Sequence, residues 1–230
     1  MMKRSPYGDL FFKETAEYHR GLSERPQPID FVLHYFNDAS KLFYIDIGAN
    51  DGVTCSNSYA LEKYLKWDGI CIEPNPESFI KLSNARKCEC INNCLSSKKG
   101  KVTFRSVYGY ANMLSGILDF FDPGHTNRIN EEIKNHGGSY EDIEIESKKL
   151  QDICAERNLK TINYISIDCE GAEYEILKGL DLLKFQPTLI SIETENNPRS
   201  SDDKATLYLT ENNYKLEGKV CGDSFFSKKY

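Results

Sequence analysis

One short segment, residues 43–52, limits the possible folds of this chain more than any other. It reads FYIDIGANDG, so an apolar run reaches an acid at Asp46 and then enters a turn that contains Gly48 and Gly52. Short continuous apolar runs are typical of strands buried on both faces, and nucleotide-type ligands bind where such a strand gives way to a helix. Glycine permits a sharp turn and a close backbone approach because it has no Cβ. The segment therefore predicts the first strand and the ligand-binding turn of an α/β sheet.

A second acid, Glu73, ends the next apolar run, GICI at residues 69–72. It follows the turn by about 20 residues, the interval at which the second strand of such a fold presents a carboxylate to a ribose. Two acids at strand ends around a glycine turn indicate a nucleoside site. The alternative is an ordinary strand-to-loop turn with a buried capping acid.

The type of nucleoside follows from what the turn lacks. The dinucleotide fingerprint GxGxxG is replaced by Gly48-x-Asn50-x-Gly52, and no P-loop lysine follows. Asn50 tolerates left-handed backbone angles, so the turn is still feasible without a third glycine for a pyrophosphate. A nucleoside without phosphates is favoured, and S-adenosylmethionine fits. Its ribose diol would bind Glu73, and its ammonium group would bind carbonyls and acids near Asp46.

Three motifs together resemble those of a known family. They occur in order as DIGANDG at residues 46–52, EPNP at 73–76, and DCEGAE at 168–173 followed by ILKG at 176–179. In this order they resemble FkbM-type methyltransferases, class I enzymes that depend on S-adenosylmethionine and mostly methylate hydroxyl groups. The resemblance extends over residues 43–195. It implies cofactor contacts from the turn, a ribose contact from Glu73 and a reaction centre near Asp168. The complete predicted cofactor site is Asp46, Gly48, Asn50, Gly52, Glu73, Asn93 and Cys94.

Acids also follow later predicted strands, and they suggest the chemistry. Asp168 stands at the end of the predicted strand 162–167, Glu170 follows it, and Glu193 with Glu195 follows the next strand. Methyl transfer to an alcohol needs a group that aligns the hydroxyl and takes its proton, and Asp168 is the leading candidate. Glu170 and Glu193 are second choices that raise the basicity of Asp168 by like-charge crowding. The same acids could hold Mg²⁺; we favour the version without a metal. Glu170 could equally be a helix N-terminal acid.

The acceptor side of the site is assigned to residues of the central segment. His125 and His136 could supply a base from a lid, since histidine titrates near neutrality. Tyr108 belongs to an aromatic group that could form an acceptor pocket, because sugar rings pack well on aromatic faces. The plainer interpretations are exposed loop histidines and ordinary core packing.

The alternation of apolar runs with helical periodicity predicts an α/β fold. We expect a single doubly wound, Rossmann-like, mainly parallel sheet with a terminal antiparallel strand, plus N-terminal helices and a lid-like insertion. Helices are predicted at residues 10–19, 29–36, 56–66, 76–85, 127–135, 149–157 and 172–180. Short strands are predicted at 101–105 and 143–146, and a final antiparallel pair at 214–217 and 223–227. Residues 1–40 would form a helical cap and 41–230 a methyltransferase domain, within which 106–146 would be an irregular segment that faces the substrate.

Composition excludes several classes of protein. A chain of 230 residues suits one α/β domain, and a net charge of −6 makes a nucleic-acid partner unlikely. No apolar run reaches the roughly 20 residues of a membrane span, and no apolar segment follows the charged N-terminus, so a cytoplasmic protein is expected. A zinc site at Cys88, Cys90 and Cys94 is disfavoured because no histidine is nearby in sequence.

The leading hypothesis is therefore an S-adenosylmethionine-dependent O-methyltransferase that acts on a hydroxylated small molecule or glycan, with a sugar hydroxyl preferred on the family resemblance. Methylation of a nucleic-acid ribose 2′-hydroxyl is disfavoured by the acidic chain. A nicotinamide-dependent oxidoreductase is disfavoured by the missing GxGxxG. A catalytically silent scaffold with this fold stays an alternative, because a fold alone does not establish activity. Oligomeric state is not predicted.

Overall fold

A seven-stranded sheet forms the body of the protein, of which the computed structural model describes residues 27–194 and 200–229 together with Pro6. In spatial order its strands are β10 (Tyr214–Val220), β11 (Asp223–Lys228), β9 (Leu189–Glu193), β8 (Tyr164–Ile167), β1 (Phe43–Ile47), β2 (Asp68–Ile72) and β3 (Glu89–Ile91). Neighbours pair in parallel except that β11 runs antiparallel to both β9 and β10. The predicted mainly parallel α/β sheet with a terminal antiparallel strand is confirmed.

Helices connect these strands and cover both faces of the sheet. Among the described residues they are α1 (Pro28–Tyr35), α2 (Tyr59–Leu65), α3 (Pro76–Ala85), α4 (Pro123–His136), α5 (Leu150–Glu156), α6 (Glu173–Lys178), α7 (Leu182–Phe185) and α8 (Ser200–Glu211). None of these is both long and apolar enough to cross a membrane. The start of α3 shows why the pattern is predictable: Asn75 accepts two backbone N–H groups, and Pro76 sits where its missing N–H costs nothing. The predicted helix at residues 10–19 and the acid Glu195 lie outside the described residues.

Alternate residues of the central strands pack into two separate apolar cores. In β1, Tyr44 packs against α1 and α2, whereas Ile45 packs against α5 and α6, and both side chains are fully buried. Asp46 lies on the same face as Tyr44, because side chains alternate along a strand. A carboxylate in that position needs polar partners to offset its burial.

A second sheet of four strands lies within the segment between β3 and α5. Its order is β4 (Cys94–Leu95), β7 (Ser139–Lys148), β5 (Gly100–Tyr108) and β6 (Gly116–Ile117). Residues 106–146 are more regular than their sequence indicates, since α4 contains the predicted helix 127–135 and β7 extends beyond the predicted strand 143–146. Apolar alternation in β7 is confined to Ile143 and Ile145, which pack against the second sheet's apolar cluster, and the rest of the strand is mostly exposed. Because α4 buries only His125 and Ile129, the periodicity in both elements marks less than their full length. That this segment faces substrate, and that the chain divides at residue 40, stay predictions.

Candidate active site

An open pocket lies at the carboxyl ends of β1, β2 and β8, the edge at which open α/β sheets bind their ligands. Loops that follow these strands line it, and Phe104 and Ile117 of the second sheet complete its wall. Its empty volume is about 930 Å³ when the solvent in its open mouth is included. The second sheet therefore contributes directly to the ligand site.

Gly48 makes the tight turn that brings β1 and β8 together at the pocket. Its φ is +82°, and a Cβ added there would lie 1.7 Å from the main-chain oxygen of Asp168. The amides of Gly48 and Ala49 both donate to the carbonyl of Ile72 at the end of β2, at 3.0 and 3.1 Å. Only glycine fits this position, because any side chain would push the end of β8 away.

The rest of the turn is held from both sides. Asn50 takes a φ of +46°, and its side-chain oxygen accepts hydrogen bonds from the Ser78 hydroxyl at 2.9 Å and the Asn112 amide at 3.1 Å. Gly52 does not line the pocket. It lies against α3, where an added Cβ would be 2.8 Å from the Cγ of Arg86. Asn50 thus faces the pocket, whereas Gly52 lets the turn rest on the helix below it.

Glu73 is fixed at the end of β2 by two backbone amides. Its two carboxylate oxygens accept hydrogen bonds from the amides of Asn50 and Asn75, at 2.8 and 2.7 Å. The side chain is 6% exposed and lines the pocket, and burial raises its pKa to about 7, although both amide bonds oppose that rise. Each carboxylate oxygen has two lone pairs, so both can still accept a hydroxyl hydrogen from a ligand.

Asp46 is the second acid of the predicted cofactor site. It is 5% exposed, lines the pocket and accepts a hydrogen bond from the Ser58 hydroxyl. Burial raises its pKa, whereas the charge of Arg86 and the hydroxyl of Ser58 lower it. The balance between these effects decides whether the Asp46 side chain is negatively charged in the pocket.

Three carboxylates from two neighbouring strand ends meet beside the pocket. One oxygen from each of Asp168, Glu170 and Glu193 lies within 4.8 Å of the others. Burial, and next the negative charges of Glu193 and Glu170, raise the pKa of Asp168 well above its usual range. The surface of Asp168 is nonetheless exposed to the open pocket, so the effect of burial is greatest once a ligand fills it. Such a group suits a base of raised pKa, and oxygen donors of this kind also suit Mg²⁺.

His125 contacts this acidic group from behind, not from the pocket. Its Nδ1 lies 3.2 Å from Oε2 of Glu170, and its Nε2 lies 2.9 Å from the carbonyl oxygen of Leu114. His136 lies at the exposed end of α4, 3.5 Å from Glu132, and Tyr108 ends β5. None of these three residues, predicted as substrate contacts, lines the pocket.

The structure gathers most of the predicted site residues in one pocket. Its lining includes Asp46, Gly48, Asn50, Glu73, Asn93, Cys94, Asp168 and Glu170. Glu193 stands just outside the lining, within reach of Asp168. Sequence reasoning missed Asn57, Ser166, Asn112 and Met113, which also line the pocket. Asn57 and Ser166 lie inside predicted elements, and no sequence pattern distinguishes them there. Asn112 and Met113 reach the pocket only because the second sheet folds beside it.

The buried acids predict that the ligand-free protein is less stable at alkaline pH. Burial raises the pKa values of Glu73, Glu173 and Asp223 to about 7, from ordinary values of 4.5 or 3.8. The folded protein therefore holds these protons more tightly than the unfolded chain, so their stabilising effect is complete below about pH 4 and is lost as the pH rises to about 7. We expect Tm to fall by about 5–10 °C between pH 5 and pH 8.

Calorimetry at a series of pH values checks this, and Glu173→Gln provides the matched variant. Oε1 of Glu173 accepts the amides of Cys169 and Gly171, whereas its Oε2 has no hydrogen-bond partner in the described part of the chain. Glutamine keeps an oxygen that can accept these two amides but has no titrating carboxyl group. The Tm of the variant should therefore fall less steeply as the pH rises. Acids whose pKa values are lowered in the folded protein affect its stability only below about pH 4.5, outside the interval from pH 5 to pH 8. An equal or higher Tm at pH 8 would contradict the prediction.

The fold and the pocket together define a class of protein. A mainly parallel seven-stranded sheet, a glycine turn after β1 and an acid at the end of β2 are features of Rossmann-like nucleotide-binding domains. The sequence model described as the Methyltransferase FkbM domain matches residues 46–216. This match covers more than half of the chain, so the chain belongs to the FkbM methyltransferase family, as its motifs predicted.

Individual relatives agree with this placement. The 2-O-methyltransferase NoeI of Sinorhizobium fredii is 26% identical over 178 residues, which cover 72% of this chain and 63% of NoeI. Methyltransferase sdnD of Sordaria araneosa is 29% identical over 175 residues, 66% of this chain and 65% of sdnD. The chain thus spans somewhat less than two-thirds of the length of these relatives. The crystal structure of an FkbM methyltransferase from Methylobacillus flagellatus superposes with a TM-score of 0.51 at 16% identity, over 97% of this chain and 48% of that one, a likeness of fold alone.

Proposed function

We propose that this protein is an S-adenosylmethionine-dependent O-methyltransferase. The observation that supports this most strongly is that one pocket is lined both by the preorganised carboxylate of Glu73 and by Asp168 of the acidic group. The same cavity could therefore bind both a ribose and a reacting hydroxyl group. Membership of the FkbM family favours methyl transfer over the other chemistries that this fold supports.

The residues present fit this cofactor. Glu73 would accept the ribose diol, the Gly48 turn would let the backbone approach closely, and Asp46 would attract the ammonium group of the amino acid end. The apolar side chains of Ile72, Phe104 and Ile117 suit the adenine ring. When bound, the cofactor supplies a methyl group activated by a sulfonium.

The protein's own role in transfer would be to hold the acceptor and take its proton. Asp168 faces the open pocket, and its raised pKa makes it a better proton acceptor than an ordinary surface carboxylate. The hydroxyl proton of the acceptor would pass to Asp168 as the methyl group leaves the sulfonium sulfur for the acceptor oxygen, and a neutral thioether would remain as the leaving group. Glu170 and Glu193 would keep the basicity of Asp168 high through their negative charges.

A sugar hydroxyl is the acceptor that we propose. NoeI, a relative of this chain, is described as a 2-O-methyltransferase. The pocket lining combines apolar side chains with polar ones that include Asn57 and Asn112, a mixture that suits a polyhydroxylated ring. A nucleic-acid ribose is the weaker alternative because the net charge is −6.

Two measurements test the proposed function. Calorimetric titration with S-adenosylmethionine and, separately, with NAD would distinguish a methyltransferase from an oxidoreductase. Incubation with panels of sugars and glycans, read out as S-adenosylhomocysteine, would distinguish an enzyme from a silent scaffold. Binding of NAD but not of S-adenosylmethionine would refute the proposal.

We expect Glu73→Ala to weaken S-adenosylmethionine binding by about 1.5–3 kcal/mol, the loss typical of hydrogen bonds to a charged group. The substitution removes the proposed ribose acceptor and also frees the amides of Asn50 and Asn75. Glu77→Ala is the matched control, because Glu77 is a nearby acid that forms an exposed pair with Lys81. Cofactor affinity equal to that of the wild type in a folded Glu73→Ala protein would remove Glu73 from the site.

A further inference from the structure

A buried arginine lies directly beneath the proposed cofactor turn without lining the pocket. Arg86 follows the last residue of α3, and its residue surface is only 5% exposed. A guanidinium is expensive to bury unless its donors are satisfied and its charge is paired. Its partners therefore show what its charge is used for.

The donors of Arg86 divide between two sets of partners. On one side, Nε donates to Oε2 of Glu62 at 2.9 Å, and the same carboxylate oxygen accepts the Tyr44 hydroxyl at 2.8 Å. On the other side, one terminal nitrogen donates to the carbonyl of Gly52 at 3.0 Å, and the other donates to the Ser58 hydroxyl at 3.0 Å. The first set anchors the arginine, and the second set belongs to the chain segment that carries the turn.

Ser58 links the arginine to the pocket. Its hydroxyl oxygen accepts from Arg86 and its hydrogen is donated to Oδ2 of Asp46, so the hydroxyl connects the buried cation to the pocket carboxylate. A hydroxyl that accepts from a cation becomes a stronger donor, because hydrogen bonds in a chain polarise one another. The positive charge thus acts on Asp46 although the two side chains need no direct contact.

We propose that Arg86 is a positioning residue for the cofactor site, which holds the carbonyl of Gly52 in place and, through Ser58, keeps Asp46 negatively charged and oriented for the ammonium group of the ligand. This inference rests on the proposed function, since it assumes that the pocket binds S-adenosylmethionine. It assigns to a residue outside the pocket part of the affinity for a cationic ligand. The arginine enters no reaction step.

Several other titratable groups also affect the charge of Asp46, so a comparison between variants is needed to isolate the effect of Ser58 and Arg86. Glu73 and Cys71 of β2, Tyr164 of β8 and Asp223 of β11 all interact electrostatically with it. Burial raises the pKa of Asp46, and the charge of Arg86 and the Ser58 hydroxyl oppose that rise. Removing the Ser58 hydroxyl alone should therefore raise this pKa further while it leaves the other groups unchanged.

Ser58→Ala is the decisive variant, with Ser191→Ala as its matched control. Ser191 is also a buried serine, hydrogen-bonded to the Tyr164 hydroxyl at 2.7 Å, and it does not line the pocket. Binding of S-adenosylmethionine is measured by calorimetry from pH 5.5 to 8.5, together with Tm. We expect Ser58→Ala to bind about tenfold more weakly at pH 7, and its loss of affinity on acidification to begin about one pH unit higher than in the wild type.

The outcomes are distinct. Ser191→Ala should lower Tm while its affinity and pH profile match the wild type, and Arg86→Lys, which keeps the charge but loses the planar fork, should weaken binding even where it folds. If Ser58→Ala has the affinity and the pH profile of the wild type, or if both serine variants lose affinity equally at every pH, the inference is overturned. If the wild type itself does not bind S-adenosylmethionine, it is the proposed function that fails.

Discussion

Replacing Gly48 with valine should reduce the affinity for S-adenosylmethionine by at least about 100-fold. Gly48 has a φ of +82°, and its missing Cβ leaves room for the main-chain oxygen of Asp168, which would otherwise lie 1.7 Å away. Real structures do not contain such a contact, so β1 and β8 would have to separate where they form the pocket. Because the clash involves Cβ itself, Gly48→Ala should lose nearly as much affinity as Gly48→Val. Calorimetry on variants whose folding is verified by circular dichroism measures the effect.

Gly137 supplies the control that separates the clash from backbone strain. Its φ of +77° nearly equals that of Gly48, but an added Cβ would meet no atom within 4 Å. Gly137→Val should therefore cost only the strain of a side chain in the left-handed region, about 1–3 kcal/mol of stability, and leave cofactor binding unchanged. A Gly48→Val protein that folds and binds normally would show that the ligand lies elsewhere.

The parts of this site that sequence predicts are those built from consecutive residues. The turn after β1 and the acid at the end of β2 depend on a few adjacent side chains and on the direction of a buried strand, and both are visible in the residue pattern. One of the two amide donors of Glu73 is also local, because Asn75 is only two residues away in sequence. Local geometry of this kind leaves a local signal.

The remaining parts depend on contacts between distant segments. The pairing of β5 with β7 joins residues such as Arg105 and Asp142, which are 37 positions apart in sequence. His125 is 45 residues before Glu170 in sequence and meets it only because α4 docks beside the loop after β8. Arg86 looks like any basic residue at a helix end until Ser58 is placed above it. Their roles follow from tertiary packing, which residue types and spacing do not encode locally.

The second large effect is expected at the acidic group. Asp168→Asn keeps the size of the side chain but removes its charge and its ability to take a proton. We expect methyl transfer to a proven acceptor to fall by on the order of 100-fold or more, while the affinity for S-adenosylmethionine changes little. Asp142→Asn, which alters an exposed carboxylate paired with Arg105 on the second sheet, should leave both quantities unchanged. Near-normal turnover in Asp168→Asn would remove this residue from the catalytic assignment.

The dependence of the rate on pH can distinguish a base from a metal ligand. A base must be deprotonated, so the rate of the native protein should rise with pH through the raised pKa of Asp168. Glu193→Gln removes one of the negative charges that raise this pKa, so the rising part of the profile should move to lower pH. If instead Asp168, Glu170 and Glu193 hold Mg²⁺, a chelator should inactivate the native protein and Mg²⁺ should restore it. Activity that survives the chelator, together with a profile shifted by Glu193→Gln, would identify Asp168 as the base, because only a titrating carboxylate responds to the loss of a neighbouring charge in this way.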